Sequence, residues 1–187
     1  MKLHIKNMVC DRCIMVVRQQ LQHLHLNVDE IALGTAIVSP EPDESQLLAL
    51  SSSLKLMGFE LIDNDKQQLI ERIKNIVIQQ VHYNDLSKNN TNFSDLIADQ
   101  LFKDYAYLSR LFSEYEDITI EKFIIQQKVE KVKELLEYGQ SNLNQIAYQM
   151  GYSSSAHLSS QFKSITGITP SQYKTTNNTG RKPLDKI

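Results

Sequence analysis

The chain of 187 residues carries 20 Lys and Arg against 22 Asp and Glu, a formal net charge of −2. Charged residues at 22% and apolar ones at 41% suit one or two globular domains, and the near-neutral balance excludes a surface coated with cations for sequence-independent nucleic-acid binding. No run approaches the roughly 18 apolar residues of a membrane helix, and Met1-Lys2-Leu3-His4 leads into no signal-peptide core, so a cytoplasmic location is expected.

In chain order, Lys2-Leu3-His4-Ile5-Lys6 alternates apolar Leu3 and Ile5 with polar neighbours and predicts a half-buried strand. A loop over residues 7–12 leads to a helix from about residue 13 to 24, with Ile14, Val17, Leu21 and Leu24 on one stripe. Residues 28–33 and 35–38 flank Gly34 as a hairpin, which Pro40-Glu41-Pro42 stops. Asp43 or Ser45 can cap a second helix through Leu47, Leu50, Leu54 and Met57, closed by Gly58, and residues 59–62 form a last short strand. The order βαββαβ is that of the ferredoxin-like split βαβ unit.

Both cysteines, Cys10 and Cys13, stand where the first loop meets its helix. A lone C-x-x-C in a reducing compartment is a metal or redox site more often than a structural disulfide. Two thiolates at this spacing can converge on one soft ion, and the helix dipole and Arg12 both favour the thiolate form. Two ligands suit Cu(I) or Ag(I) better than Zn(II), which takes four. His23 and His25 lie roughly 15 Å from Cys13 at 1.5 Å per residue; with His4 they read as ordinary strand and helix-end residues. The βαββαβ order, Met8-x-Cys10-x-x-Cys13 and Gly58-Phe59 together resemble the heavy-metal-associated domain of soft-metal chaperones and transporting ATPases over residues 1–65. Asn7 departs from the glycine usual there, and Asp11-Arg12 fills a gap where small residues are common. The resemblance implies a soft metal ion on Cys10 and Cys13, Cu(I) favoured and Zn(II) or another left open, while Met8 is read as packing inward. Redox sensing or a relic site are the alternatives.

Asn64-Asp65 caps a helix expected over residues 66–83, with Leu69, Ile73, Ile76, Val77 and Val81 on one stripe and Glu71 paired to Lys74. It reads as a helix packing on the domain that follows, with homodimerisation through it left open. Residues 84–92 are polar and turn-prone, so residues 66–90 form a linker helix and hinge.

Residues 91–175 hold an internal repeat. Ile97-Ala98, Leu108-Ser109 and Phe112 are echoed by Ile146-Ala147, Leu158-Ser159 and Phe162. Ile118, Thr119, Ile120 and Phe123 are likewise echoed by Ile168, Thr169, Pro170 and Tyr173. In the second copy Ser141 and Asn142 offer a helix cap, with Gln145 completing a capping box. Leu143, Ile146, Ala147 and Met150 give that helix its stripe, and Gly151 lets it stop sharply. Serines 153–155 then start a second helix on Leu158, Phe162 and Ile165. Alone, this stretch fits a helical hairpin with a solvated serine face as well as a helix-turn-helix; the repeat breaks the tie. The tandem resembles the DNA-binding domain of AraC-family transcription regulators over residues 93–174, with IAYQMGYSSSAHLSSQFKSITGITPSQYK as its signature. The first copy departs, since its turn Leu101-Phe102-Lys103-Asp104 is one residue shorter and has no glycine.

Thr119 caps the connecting helix, residues 120–138, whose Val129, Val132, Leu135 and Leu136 form a buried face. Its nineteen residues span roughly 28 Å, against about 34 Å between successive major grooves on one side of a duplex. Lys122, Lys128, Lys131 and Lys133 alternate with Glu121, Glu130, Glu134 and Glu137 and read as a solvated face. Residues 176–187 are expected to fray as a flexible tail.

Helical geometry and the family resemblance agree on the DNA-facing positions: Ala106, Ser109, Arg110 and Ser113 in the first copy, Ala156, Ser159, Ser160 and Lys163 in the second. Arg110 stands out because arginine bonds guanine O6 and N7 bidentately; its competing role is an ion pair with Glu114. Serine bonds bases or phosphates, and alanine packs on a thymine methyl. There is no phosphate-binding glycine loop and no convincing Ser-His-Asp set, so no enzyme is expected. The sequence thus predicts an α+β chain: a ferredoxin-like βαββαβ domain, then an all-α tandem helix-turn-helix domain. Its expected role is sequence-specific binding of double-stranded DNA as a transcription regulator responding to a soft metal ion, with no cofactor needed by the DNA-binding domain. A thiol-redox regulator, a thiol-disulfide oxidoreductase and a metallochaperone-like adaptor are the rivals.

Overall fold

Alternation in the first strand sets the front of the molecule: Leu3 and Ile5 are buried while Lys2, His4 and Lys6 turn the other way. The computed structural model describes residues 1–87, 92–175 and 180–187. Its first six elements are β1 (Lys2–Lys6), α1 (Asp11–His23), β2 (Asn27–Ala32), β3 (Thr35–Ser39), α2 (Glu44–Leu56) and β4 (Glu60–Leu61). The strands form one antiparallel sheet in the order β2-β3-β1-β4, with Leu3 opposite Ala36 and Ile5 opposite Leu61. This is the ferredoxin-like arrangement. Val17 and Leu21 of α1 and Leu50 and Leu54 of α2 close the core against Leu3, Ile5, Ala36 and Val38. Removing such side chains from water is what holds a small sheet together, at roughly 1.5–3 kcal/mol each.

Local signals act as expected. The Asp43 side chain accepts from Gln46 N–H while Gln46 reaches back, a full capping box on α2. Met57 does not continue the α2 stripe: the helix ends at Leu56 and Met57 is 44% exposed. Gly34 needs its lack of a side chain, with φ of +79° and the Asn75 amide where a Cβ would stand.

Helix α3 (Asp65–Ile78) starts on Asn64, whose side chain accepts from the N–H groups of Lys66 and Gln67. The helix expected to reach residue 83 instead widens into a π-helical turn at Gln79–Tyr83. Ile73, Val77 and Val81 of its stripe are buried within the single chain, and Glu71 meets Lys74 at 3.9 Å. The chain divides into two compact units, Met1–Asn75 and Ile76–Ile187. Asn75 lies against Gly34 within the first of these units.

The second unit is helical: α4 (Phe93–Leu101), α5 (Tyr105–Glu116), α6 (Ile120–Tyr138), α7 (Leu143–Gln149), α8 (Ser155–Thr166) and α9 (Pro170–Thr175). Asn92, Asp104, Thr119, Asn142 and Ser154 each cap the following helix through their side chains. The repeat is visible in the core, where Phe112 meets Phe123 at 5.7 Å between ring centroids and Phe162 meets Tyr173 at 5.6 Å. Of the expected hinge, residues 88–91 lie outside the described residues; before them Leu86 is buried. Among the described residues no helix is long and apolar enough to cross a membrane.

Three expectations are corrected here. Ile165 is 40% exposed, because the α8 stripe is finished by Leu158 and Phe162. The charged face of α6 is not solvated throughout: Lys133 Nζ lies 2.6 Å from Glu130 with both side chains buried, and Lys131 pairs with Glu134 at 2.6 Å. The end of the chain supplies the cover. Residues 180–187 do not fray: Gly180 O accepts from Lys133 Nζ, Lys182 N–H donates to Glu130, and Arg181 donates to Glu134 at 2.9 Å. Residues 176–179 of the expected tail lie outside the described residues.

Candidate nucleic-acid interface

Each reader is a helix pair closed by a turn with a left-handed residue. In the first, α4 ends on Phe102 at φ +52°, and Asp104 accepts from Tyr107 N–H to start α5. In the second, Gly151 at φ +68° follows α7, and Ser154 accepts from His157 N–H to start α8. Leu108 and Phe112, and in parallel Leu158 and Phe162, are sealed into the core and fix which way α5 and α8 face. The expected contact positions then fall outward. Ala106 and Arg110 are exposed and Ser109 and Ser113 half-buried; Ala156, Ser160 and Lys163 are exposed and Ser159 half-buried. Neither outward face is covered by the interior formed by the described residues. Arg110 forms no ion pair with Glu114 among the described residues, which leaves its guanidinium available.

Behind these faces the structure shows contacts that the sequence reading missed. Tyr105 OH donates to Glu121 at 2.6 Å; burial and that carboxylate push the tyrosine pKa up, and the same bond holds Glu121 below the usual carboxylate range. Ser153 Oγ lies 3.1 Å from His157 Nδ1, and Tyr152 meets the His157 ring edge-on at 5.4 Å. Lys128 Nζ sits 5.2 Å from the Tyr152 ring centroid and 5.9 Å from that of Phe93. In the sequence Lys128 is one lysine in an alternating charged run, and nothing local ties it to rings so far along the chain. His82, in the π-helical turn, lies 2.9 Å from Gln127 on the buried side of α6, and burial lowers its pKa.

The sequence pattern of a helix-turn-helix domain family matches residues 97–176. The C-terminal domain of AraT, a response regulator from Geobacillus stearothermophilus, shares the fold with a TM-score of 0.52, covering 64% of this chain and 95% of that domain at 23% identity. Residues 97–176 are a helix-turn-helix domain. Among similar proteins, the Msm operon regulatory protein of Streptococcus mutans is 25% identical over 128 residues, covering 68% of this chain and 44% of that protein. The HTH-type transcriptional regulator YdeC of Bacillus subtilis is 24% identical over 142 residues, covering 71% of this chain and 45% of that protein. The chain therefore spans less than half the length of either. In this domain α5 and α8 each lead through a left-handed residue (Asp117, Gly167) into the helix that follows.

The other candidate site lies in the first unit. Cys10 is the N-cap of α1 and Cys13 lies in its first turn; both thiols are free and half-buried, with sulfurs 3.4 Å apart. Burial works against the Cys10 thiolate but is outweighed by hydrogen bonds from Cys13 and Arg12 and by the Arg12 charge, so its pKa is lowered. Burial, together with the Cys10 thiol, raises that of Cys13. Met8 is fully buried in the core and cannot ligate. Among the described residues no group of three or more His, Cys, Asp or Glu side chains is placed to hold a metal. Any ion here would rest on the two thiolates.

Proposed function

We propose that this protein is a sequence-specific, cytoplasmic transcription regulator that reads double-stranded DNA through α5 and α8 and responds to a soft metal ion held by Cys10 and Cys13. One observation carries the DNA half: two leucine-anchored helices present small, polar, uncovered faces, one with Arg110 and one with Lys163, and both flank a single helix of 19 residues. That connector is roughly 28 Å long, close to the about 34 Å between successive major grooves. Small residues let a helix backbone approach the groove floor, and a bidentate arginine contact adds about 1–3 kcal/mol of base discrimination.

The metal half rests on the thiol pair. Two metal–sulfur bonds of about 2.3 Å span at most about 4.6 Å, so sulfurs 3.4 Å apart need only a small opening to share one ion. Two thiolates suit Cu(I), which those residues would hold as a low-coordinate soft ion. The thiol-redox reading keeps one observation in its favour, the lowered pKa of Cys10 beside the raised pKa of Cys13, the asymmetry that exchange chemistry uses.

Selection of bound duplexes from a random pool, with reduced, oxidised and Cu(I)-loaded protein, tests both halves. The expected result is one enriched bipartite sequence whose affinity shifts only with Cu(I), a shift that Cys10→Ser abolishes. A shift produced by oxidation instead replaces the metal with a redox signal, and identical binding in all three states removes the sensor.

A further inference from the structure

Lys128 belongs to a run of charges that reads as solvated, yet most of its side chain is buried and no carboxylate pairs with it among the described residues. Its ammonium lies over two aromatic rings instead, 5.9 Å from the centroid of Phe93 and 5.2 Å from that of Tyr152. Both separations fall within the about 6 Å over which a ring face attracts a cation. The two rings come from different readers: Phe93 opens α4, and Tyr152 lies in the turn between α7 and α8. From Tyr152 the contacts continue into the second recognition helix. Its hydroxyl donates to Gln161 at 2.7 Å, and its ring meets His157 edge-on at an interplanar angle of 88°. Withdrawing an ammonium from water without a counter-ion is unfavourable, so an aliphatic chain would fill this space more cheaply if filling it were the only need.

We propose that Lys128 is a positioning residue for two-site reading: by holding Phe93 and Tyr152 to α6 it fixes the two recognition helices relative to each other, and thereby sets the half-site spacing the protein accepts. The inference rests on the DNA-binding role proposed above. Once one reader has docked, the other binds at an effective concentration that depends on how well their separation matches the operator. A loosened pair loses that advantage. A single reader on a single half-site never had it.

The full-length protein tests this on its selected operator, on each half-site alone at low salt, and on operators with a few base pairs added or removed between half-sites. Lys128→Met keeps the length of the side chain without its charge, and Lys128→Arg restores a cation that stacks well on aromatic faces; thermal unfolding confirms that both remain folded. Lys128→Met is expected to lose about tenfold on the full operator, to match the unaltered protein on half-sites, and to discriminate less among spacings, while Lys128→Arg recovers all three. Equal losses on full and half-sites, or an unchanged spacing preference, overturn the proposal. Failure of the unaltered protein to select any duplex overturns the DNA-binding reading itself, and this one with it.

Discussion

The two readers reach one shape by different local chemistry. Where the second copy places glycine in the left-handed region, at Gly151 and Gly167, the first places Phe102 and Asp117. A left-handed residue with a Cβ costs about 1–2 kcal/mol, and Phe102, 93% exposed, gains almost no burial in return. Sealed cores make both copies possible: Leu108 with Phe112, and Leu158 with Phe162, dictate the chain path and the turns comply. The outward faces, each with one alanine and two serines, differ in their cation, Arg110 on one and Lys163 on the other. A duplicated fold can thus keep its interior while its turn chemistry and reading chemistry drift apart.

The cores should behave alike, and breaking that likeness is the largest effect available. Phe112→Ala and Phe162→Ala should each destabilise the protein by about 3–5 kcal/mol, measured by denaturant unfolding; a large cost for only one would mean that the copies do not share a core logic. The reading faces should behave differently. Arg110→Ala should cost about 1–3 kcal/mol of operator affinity and relax preference at one base pair, whereas Ser160→Ala should cost less. Equal loss on every sequence would make Arg110 a phosphate contact. The turns should respond with opposite signs. Phe102→Gly should stabilise by about 0.5–1 kcal/mol, the relief of left-handed strain less the entropy of a glycine, while Gly151→Ala should destabilise by about 1 kcal/mol or more, since φ is +68° there.

The helix shared by the copies gives the smallest effect. Burial, helped by Lys131 and Arg181 and opposed by Gln127 and Glu134, lowers the His82 pKa from 6.5. The unfolded chain therefore binds the extra proton first, so this contribution to stability is whole above pH 6.5 and fades as pH falls below it. His82→Gln should flatten the dependence of melting temperature on pH in that window; an unaltered slope would place the titrating group elsewhere.

What could be read from the sequence follows the range of the physics. Caps act within a few residues, so Asp43 with Gln46, Thr119, and Asn142 with Gln145 were legible, as were the βαββαβ order and the bounds of α6. The leucine and phenylalanine repeat fixed which helical faces turn outward, and with them the eight candidate contact positions. Contacts made across the fold were not legible. Lys133 and Glu130 look solvated in a charged run, and become buried because residues 180–187 return to cover them. Phe102 carries no turn signal, because the packing of its neighbours, and not its own preference, puts it in the left-handed region. The role of the thiols depends on an ion or an oxidant outside the chain, so sequence and fold give the pair but not its signal.

Interference footprinting of the selected operator bears on the tandem arrangement itself, because it reports which phosphates and bases each helix pair needs. Two protected patches are expected on one face of the duplex, about 10 base pairs apart, with the patch under α5 lost in Arg110→Ala and that under α8 weakened in Lys163→Ala. A single continuous patch, or two patches insensitive to both substitutions, would contradict it.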